Sequence, residues 1–142
     1  MRYLSDLPVV ILPNQDSHLG MSTSLCKGFA YLGNRPVEGG LVLLADQPGI
    51  EPAVLEEVID RFGQTEKGIV QAAYRGNPRH PVLFARRLFD EIQQISGEQG
   101  ARQLLIRYLA DRELVMIDAE EPNDIDTPED YQAAIQFGGS GK

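Results

Sequence analysis

One stretch constrains this chain more than any other: Leu41-Val42-Leu43-Leu44-Ala45-Asp46-Gln47-Pro48-Gly49. An uncharged apolar run without polar alternation reads as a strand buried on both faces. Pro48 and Gly49 then break the pattern. The result is a single carboxylate, Asp46, expected at the C-terminal end of a central strand. In open α/β sheets that edge is where ligands bind. A solvated turn aspartate is the plain alternative at such a position. The position of Asp46 makes it the first candidate for a functional carboxylate.

The rest of the chain alternates strand-like and helix-like segments. Leu7–Leu12 is β-branched and apolar and ends at Pro13-Asn14, a strand signal. Ser22 or Thr23 is placed to cap a helix running to about Leu32, with Leu25, Phe29 and Leu32 on one face. Pro52 suits the first position of a second helix. Its expected inward stripe is Val54, Leu55, Val58, Ile59 and Phe62, with Gly63 as C-terminal cap. Gly68–Tyr74 reads as a strand and Arg75-Gly76-Asn77-Pro78 as a turn. Pro81–Phe84 fits either a short strand or a helix entry. Arg86–Ile95 and Ala101–Leu109 read as helices, and Leu114–Ile117 as a strand. Thr127-Pro128-Glu129-Asp130 opens a last helix with a hydroxyl cap and acids in its first turn. Gly138–Lys142 reads as a flexible tail. The expectation is a single α/β domain over residues 1–137, a largely parallel sheet with flanking helices.

Composition narrows the function classes. A length of 142 residues suffices for one domain with a core. The net charge of −8 argues against a nucleic-acid backbone as partner. No apolar run approaches the roughly 20 residues of a membrane-spanning helix, and the start lacks a signal-peptide core. The single cysteine, Cys26, excludes an internal disulfide. A reducing cytoplasm is the expected compartment.

Four constellations could carry chemistry. Asp46 is the first. Asn123-Asp124-Ile125-Asp126 is the second. Its acids could simply favour the positive end of the last helix. Yet each acidic site follows an apolar strand by a short turn, and parallel strands would bring both to one sheet edge. Two carboxylates meeting there suit Mg²⁺, which completes its shell with waters and substrate phosphates. The third is Gly20-Met21-Ser22-Thr23-Ser24-Leu25, either an ordinary cap or a helix N-terminus that binds an anion or a base edge. The fourth is His80-Pro81, a turn histidine or a substrate contact.

Taken in order, GMSTSL (Gly20–Leu25), LVLLADQP (Leu41–Pro48), HPVLF (His80–Phe84), GEQGARQLL (Gly97–Leu105) and DIDTPEDY (Asp124–Tyr131) resemble the MobA-like nucleotidyltransferases. Within that family the resemblance is closest to the molybdenum cofactor cytidylyltransferases, and it spans about Leu7 to Ile135. It implies a Rossmann-like nucleotidyltransferase fold. It also implies Mg²⁺-dependent transfer of a nucleotidyl group from an NTP, with CTP favoured, to the phosphate of a molybdopterin-type acceptor, releasing pyrophosphate. By this resemblance Asp46 and Asp126 are the catalytic metal ligands. Gly20, Ser22, Ser24 and Asp46 face the nucleotide, while His80, Gly97 and Gly100 face the second substrate. Arg79 stands where the family commonly has glycine.

Family members also carry a first strand and a glycine-rich loop of the form LAAGxSxRMGxxK, which wraps the triphosphate. Nothing in this sequence matches it, and Met1–Asp6 leads into what corresponds to the third strand. The expected fold therefore lacks the first strand–loop–helix–strand unit. Leu7–Leu12 must then pair differently or leave a sheet edge open. Two alternatives follow: a non-catalytic nucleotide or pterin-phosphate binding module, or one part of a split enzyme. An open edge would suit a homodimer or a complementing N-terminal fragment.

Overall fold

In the computed structural model the described residues are 10, 12–15, 21–44, 47, 49–95 and 100–122. They form α helices and a mixed sheet in two compact units. One comprises Met1–Val37 with Arg87–Arg107, and the other Glu38–Arg86 with Tyr108–Lys142.

The second unit holds the sheet. Its strands are β1 (Gly39–Val42), β2 (Ile69–Tyr74), β3 (Asn77–Ala85) and β4 (Arg112–Ile117), in the order β1-β3-β2-β4. β2 and β4 are parallel, and β3 runs antiparallel to both β1 and β2. Three of the four strands thus share one direction, as the alternating pattern predicts, and β3 is the exception. Pro81–Phe84, open between strand and helix in the sequence, lies within β3. β3 is antiparallel because a two-residue loop joins it to β2. Tyr74 pairs with Asn77, and Arg75 (φ 50°) and Gly76 (φ 90°) make the turn. Positive φ at both central residues is the type I′ arrangement, whose twist matches that of the flanking strands. The turn is therefore shorter than the four residues expected, because Asn77 and Pro78 already belong to β3.

Every residue of β2 is buried. Val70, Ala72 and Tyr74 pack with Leu83 and Val115 against Val54 and Val58 of α2 (Pro52–Gln64). Pro52 occupies the first turn as expected. Ile59 does not join the stripe: it is half exposed, with Val54, Val58 and the partly buried Phe62 forming the inward face. Gly63 is inside the helix, because Thr65 N–H still donates to Arg61 O at 3.0 Å and Thr65 is the cap.

β1 departs from expectation in place and extent. It lies at one end of the described sheet, half-buried, and pairing ends at Val42↔Val82. The apolar run continues beyond the ladder, and Leu43 is exposed. The next residue of β3 is Pro81, which has no N–H to extend a ladder. At its start the strand reaches back to Gly39, where a Cβ would stand 2.9 Å from Leu83 Cδ2 and 3.0 Å from Phe84 O. Only glycine permits that approach without displacement.

The other unit is helical: α1 (Met21–Gly33), α3 (Phe89–Ile92) and α4 (Gly100–Arg107). Phe29 and Phe89 meet edge to face at 5.0 Å, with Leu88, Ile92 and Leu104 buried. α1 begins at Met21, so Ser22 and Thr23 sit inside its first turn rather than at the cap. Of the expected Leu7–Leu12 strand only Val10 and Leu12 are described; both are exposed and neither is in a strand. The expected last helix lies outside the described residues.

Candidate functional site

The parallel strands deliver their C-terminal ends to one edge of the sheet. β2 ends at Tyr74, level with Ile117 at the end of β4 and Asn77 at the start of β3. β1 stops opposite Val82, itself level with Gln71, so its following segment leaves short of that edge. Asp46 and Asp126 lie outside the described residues; Gln47 and Gly49, just after Asp46, meet Glu121 and Pro122 of the chain leaving β4. Gln47 Nε2 donates to Glu121 Oε2 at 3.4 Å. A Cβ on Gly49 would stand 3.2 Å from Pro122 Cβ.

The hairpin joins the same cluster. Arg79 Nε donates to Glu121 Oε1 at 3.2 Å. Arg79 is opposite Ala72, so it shares the face that carries Tyr74. Arg75 reaches Glu120 at 3.5 Å, an exposed pair of small energetic weight. Tyr74 is buried, and its hydroxyl has no hydrogen-bond partner among the described residues. Burial raises its phenol above the ordinary value, and the nearby Glu121 charge adds to the rise. At neutral pH it is therefore an un-ionised donor.

His80 is half-buried in a break of register. Arg79 pairs with Ala72 and Val82 with Gln71, so His80 and Pro81 oppose no residue of β2. Such bulges re-aim side chains beside functional sites. The His80–Pro81 peptide bond is cis, and Pro81 is fully buried.

In the helical unit, Ser22 is buried, and its Oγ has no partner among the described residues. Ser24 is exposed. Asn14 Nδ2 donates to Ser24 Oγ and Thr23 Oγ1, each at 2.9 Å. Gly20 and Gly97 lie outside the described residues, and Gly100 is the first residue of α4. Cys26 Sγ donates to Ile92 O at 3.2 Å, and burial pushes its thiol up, so it is not an activated nucleophile.

The described groups at the sheet edge (Gln47, Tyr74, Arg79, His80, Glu120 and Glu121) offer oxygen and nitrogen but no thiolate. That chemistry fits a hard divalent cation held by carboxylates and phosphate oxygens. Among the described residues no three acidic, histidine or cysteine side chains cluster as a metal site.

A family model for the MobA-like NTP transferase domain matches residues 1–112. The chain belongs to this family. It is 29% identical over 119 residues to the purine catabolism protein PucB of Bacillus subtilis strain 168, covering 82% of this chain and 57% of PucB. Among solved structures, a Mycobacterium sp. strain JC1 homologue of Rv0371c superposes with a TM-score of 0.70 at 24% identity, covering 87% of this chain and 60% of that one. The Mycobacterium tuberculosis H37Rv Rv0371c complex with manganese gives 0.67 at 27% identity, covering 80% and 59%. The chain thus spans about three fifths of the length of these MobA-like relatives. Among its described residues no helix is long and apolar enough to cross a membrane.

Sequence reasoning missed four residues. Gln47 and Tyr74 stood in or beside recognised motifs without a role, and Asn14 was read only as a strand terminator. Glu121 carried no signal, being one of several acids in a polar stretch.

Proposed function

We propose that this MobA-like chain serves transfer of a nucleotidyl group, CMP in the favoured case, to a phosphate of the molybdenum cofactor. An acceptor phosphate oxygen attacks the α-phosphorus of the NTP. The bond to the β-phosphate oxygen breaks, and pyrophosphate leaves with its electron pair. Asp46 and Asp126 hold Mg²⁺, which when bound offsets the negative charge of the triphosphate. The resemblance to MobA-like enzymes assigns Gly20, Ser22 and Ser24 to the nucleotide, and His80, Gly97 and Gly100 to the acceptor. The chain's own contribution is positioning and charge stabilisation, the main source of rate in such transfers.

The observation that supports this reading is the contact of the residues just after Asp46 with the chain leaving β4, through Gln47 with Glu121 and Gly49 with Pro122. The match to the MobA-like NTP transferase domain supports nucleotidyl transfer, and the manganese complex of Rv0371c supports a divalent ion. The test is calorimetric binding of CTP with Mn²⁺ or Mg²⁺, followed by pyrophosphate release with molybdenum cofactor as acceptor. Metal-dependent CTP binding that Asp46→Asn abolishes is expected. Equal binding by wild type and variant, or none by either, overturns it.

A further inference from the structure

Glu121 uses both carboxylate oxygens on residues that adjoin proposed site residues. Oε1 accepts from Arg79 Nε at 3.2 Å, and Arg79 directly precedes His80. Oε2 accepts from Gln47 Nε2 at 3.4 Å, and Gln47 directly follows Asp46. Glu121 itself stands five residues ahead of Asp126, with Pro122 against Gly49. Three separate segments therefore converge on one side chain: the end of the β1 loop, the start of β3 and the chain leaving β4. Gln47 is buried and the Glu121 side chain is one-third exposed, so their bond is partly shielded from water, whereas the Arg79 pair is exposed.

We infer that Glu121 is a positioning residue that ties Gln47, the neighbour of Asp46, and Arg79, the neighbour of His80, to the chain leaving β4. The inference rests on the proposed metal and acceptor roles of Asp46 and His80. Carboxylates behind metal ligands fix ligand orientation, and their loss weakens metal binding without removing a ligand. Arg79 belongs to the same device. Its guanidinium gives Glu121 a charged partner on the hairpin, and a charge-assisted bond is stronger than a neutral one.

The test compares Glu121→Ala and Glu121→Gln with wild type in the full chain. Amide exchange is read in the metal-free protein and Mn²⁺ affinity by electron paramagnetic resonance. The Gln47 amide, bonded to Leu44 O at 3.2 Å, and the Ile50 amide, bonded to Gln47 O at 3.5 Å, report the loop. In Glu121→Ala these two exchange about tenfold faster while the amides of Val70 and Leu83 keep wild-type rates. Mn²⁺ affinity falls about tenfold or more. Glu121→Gln, which keeps a carbonyl acceptor, falls between the two. Unchanged loop exchange in Glu121→Ala overturns the inference. So does equal acceleration at Val70 and Leu83, or a Glu121→Gln variant no better than alanine. Failure of the wild type to bind Mn²⁺ sinks the proposed metal role instead, and the exchange data then decide the clamp alone.

Discussion

Gly49 lies against Pro122, close enough that a Cβ on the glycine would stand 3.2 Å from the proline Cβ. Two segments that follow different strands, β1 and β4, are therefore in close contact. If Asp46 and Asp126 share one ion, removing either carboxylate weakens it by a similar amount. Asp46→Asn and Asp126→Asn are each expected to reduce Mn²⁺ affinity about tenfold or more. The double variant should lose less than the sum, because coupled ligands are not additive. Titration monitored by electron paramagnetic resonance measures this, and strict additivity would count against a shared ion.

Tyr74 combines deep burial with a hydroxyl that has no partner among the described residues. A buried donor left unsatisfied costs about 1–3 kcal/mol. Tyr74→Phe is accordingly expected to raise stability by about 1 kcal/mol, measured by urea unfolding.

The same residue sets an alkaline dependence. Its folded pKa lies above the unfolded value, chiefly through burial. The folded state therefore holds the proton more tightly. That contribution is fully present below the unfolded pKa near 10 and fades as pH rises toward the folded value. Denaturation midpoints across pH 8 to about 11.5 should fall more steeply for wild type than for Tyr74→Phe.

Gln71 is buried at the centre of β2, and its Oε1 accepts from Arg112 on β4 at 3.1 Å. Arg112→Ala leaves that oxygen without its donor and should cost about 1–3 kcal/mol. Adding Gln71→Leu should recover part of the loss, since replacing both partners is cheaper than orphaning one. Chemical denaturation of the single and double variants checks the ordering.

A Cβ on Gly39 would stand 2.9 Å from the Leu83 side chain, closer than Cβ atoms are found, and 3.0 Å from Phe84 O. Gly39→Ala is expected to destabilise by about 1–3 kcal/mol through overpacking against Leu83 and Phe84. Gly28, with open space around it, serves as the control in the same melting experiment.

Sequence periodicity reached what local pattern controls. α2 and β2 stand where apolar spacing and Pro52 placed them. Partners distant in the chain decided the rest. β1 stops at Val42 although the apolar run continues, because its neighbour reaches Pro81 there. Arg75 gave no sign of a two-residue turn, since the Asn-Gly and Asp-Gly pairs that announce one are absent. Asp46 and Asp126 were visible as acids after strands. The Glu121 contacts to Gln47 and Arg79 depend on residues 74 and 42 positions away, which no spacing rule reports.

The reversed direction of β3 has a consequence for inheritance. Tyr74 through Pro81 is one continuous peptide that closes on itself through a two-residue turn. Its loop entropy is settled locally, whereas β2 and β4 must find each other across about forty residues. Changes at this tip leave the crossover topology untouched. Exchanging it between relatives therefore leaves the parallel framework fixed but needs matching where Arg75 and Arg79 meet Glu120 and Glu121, so this rim diverges in step with the chain leaving β4.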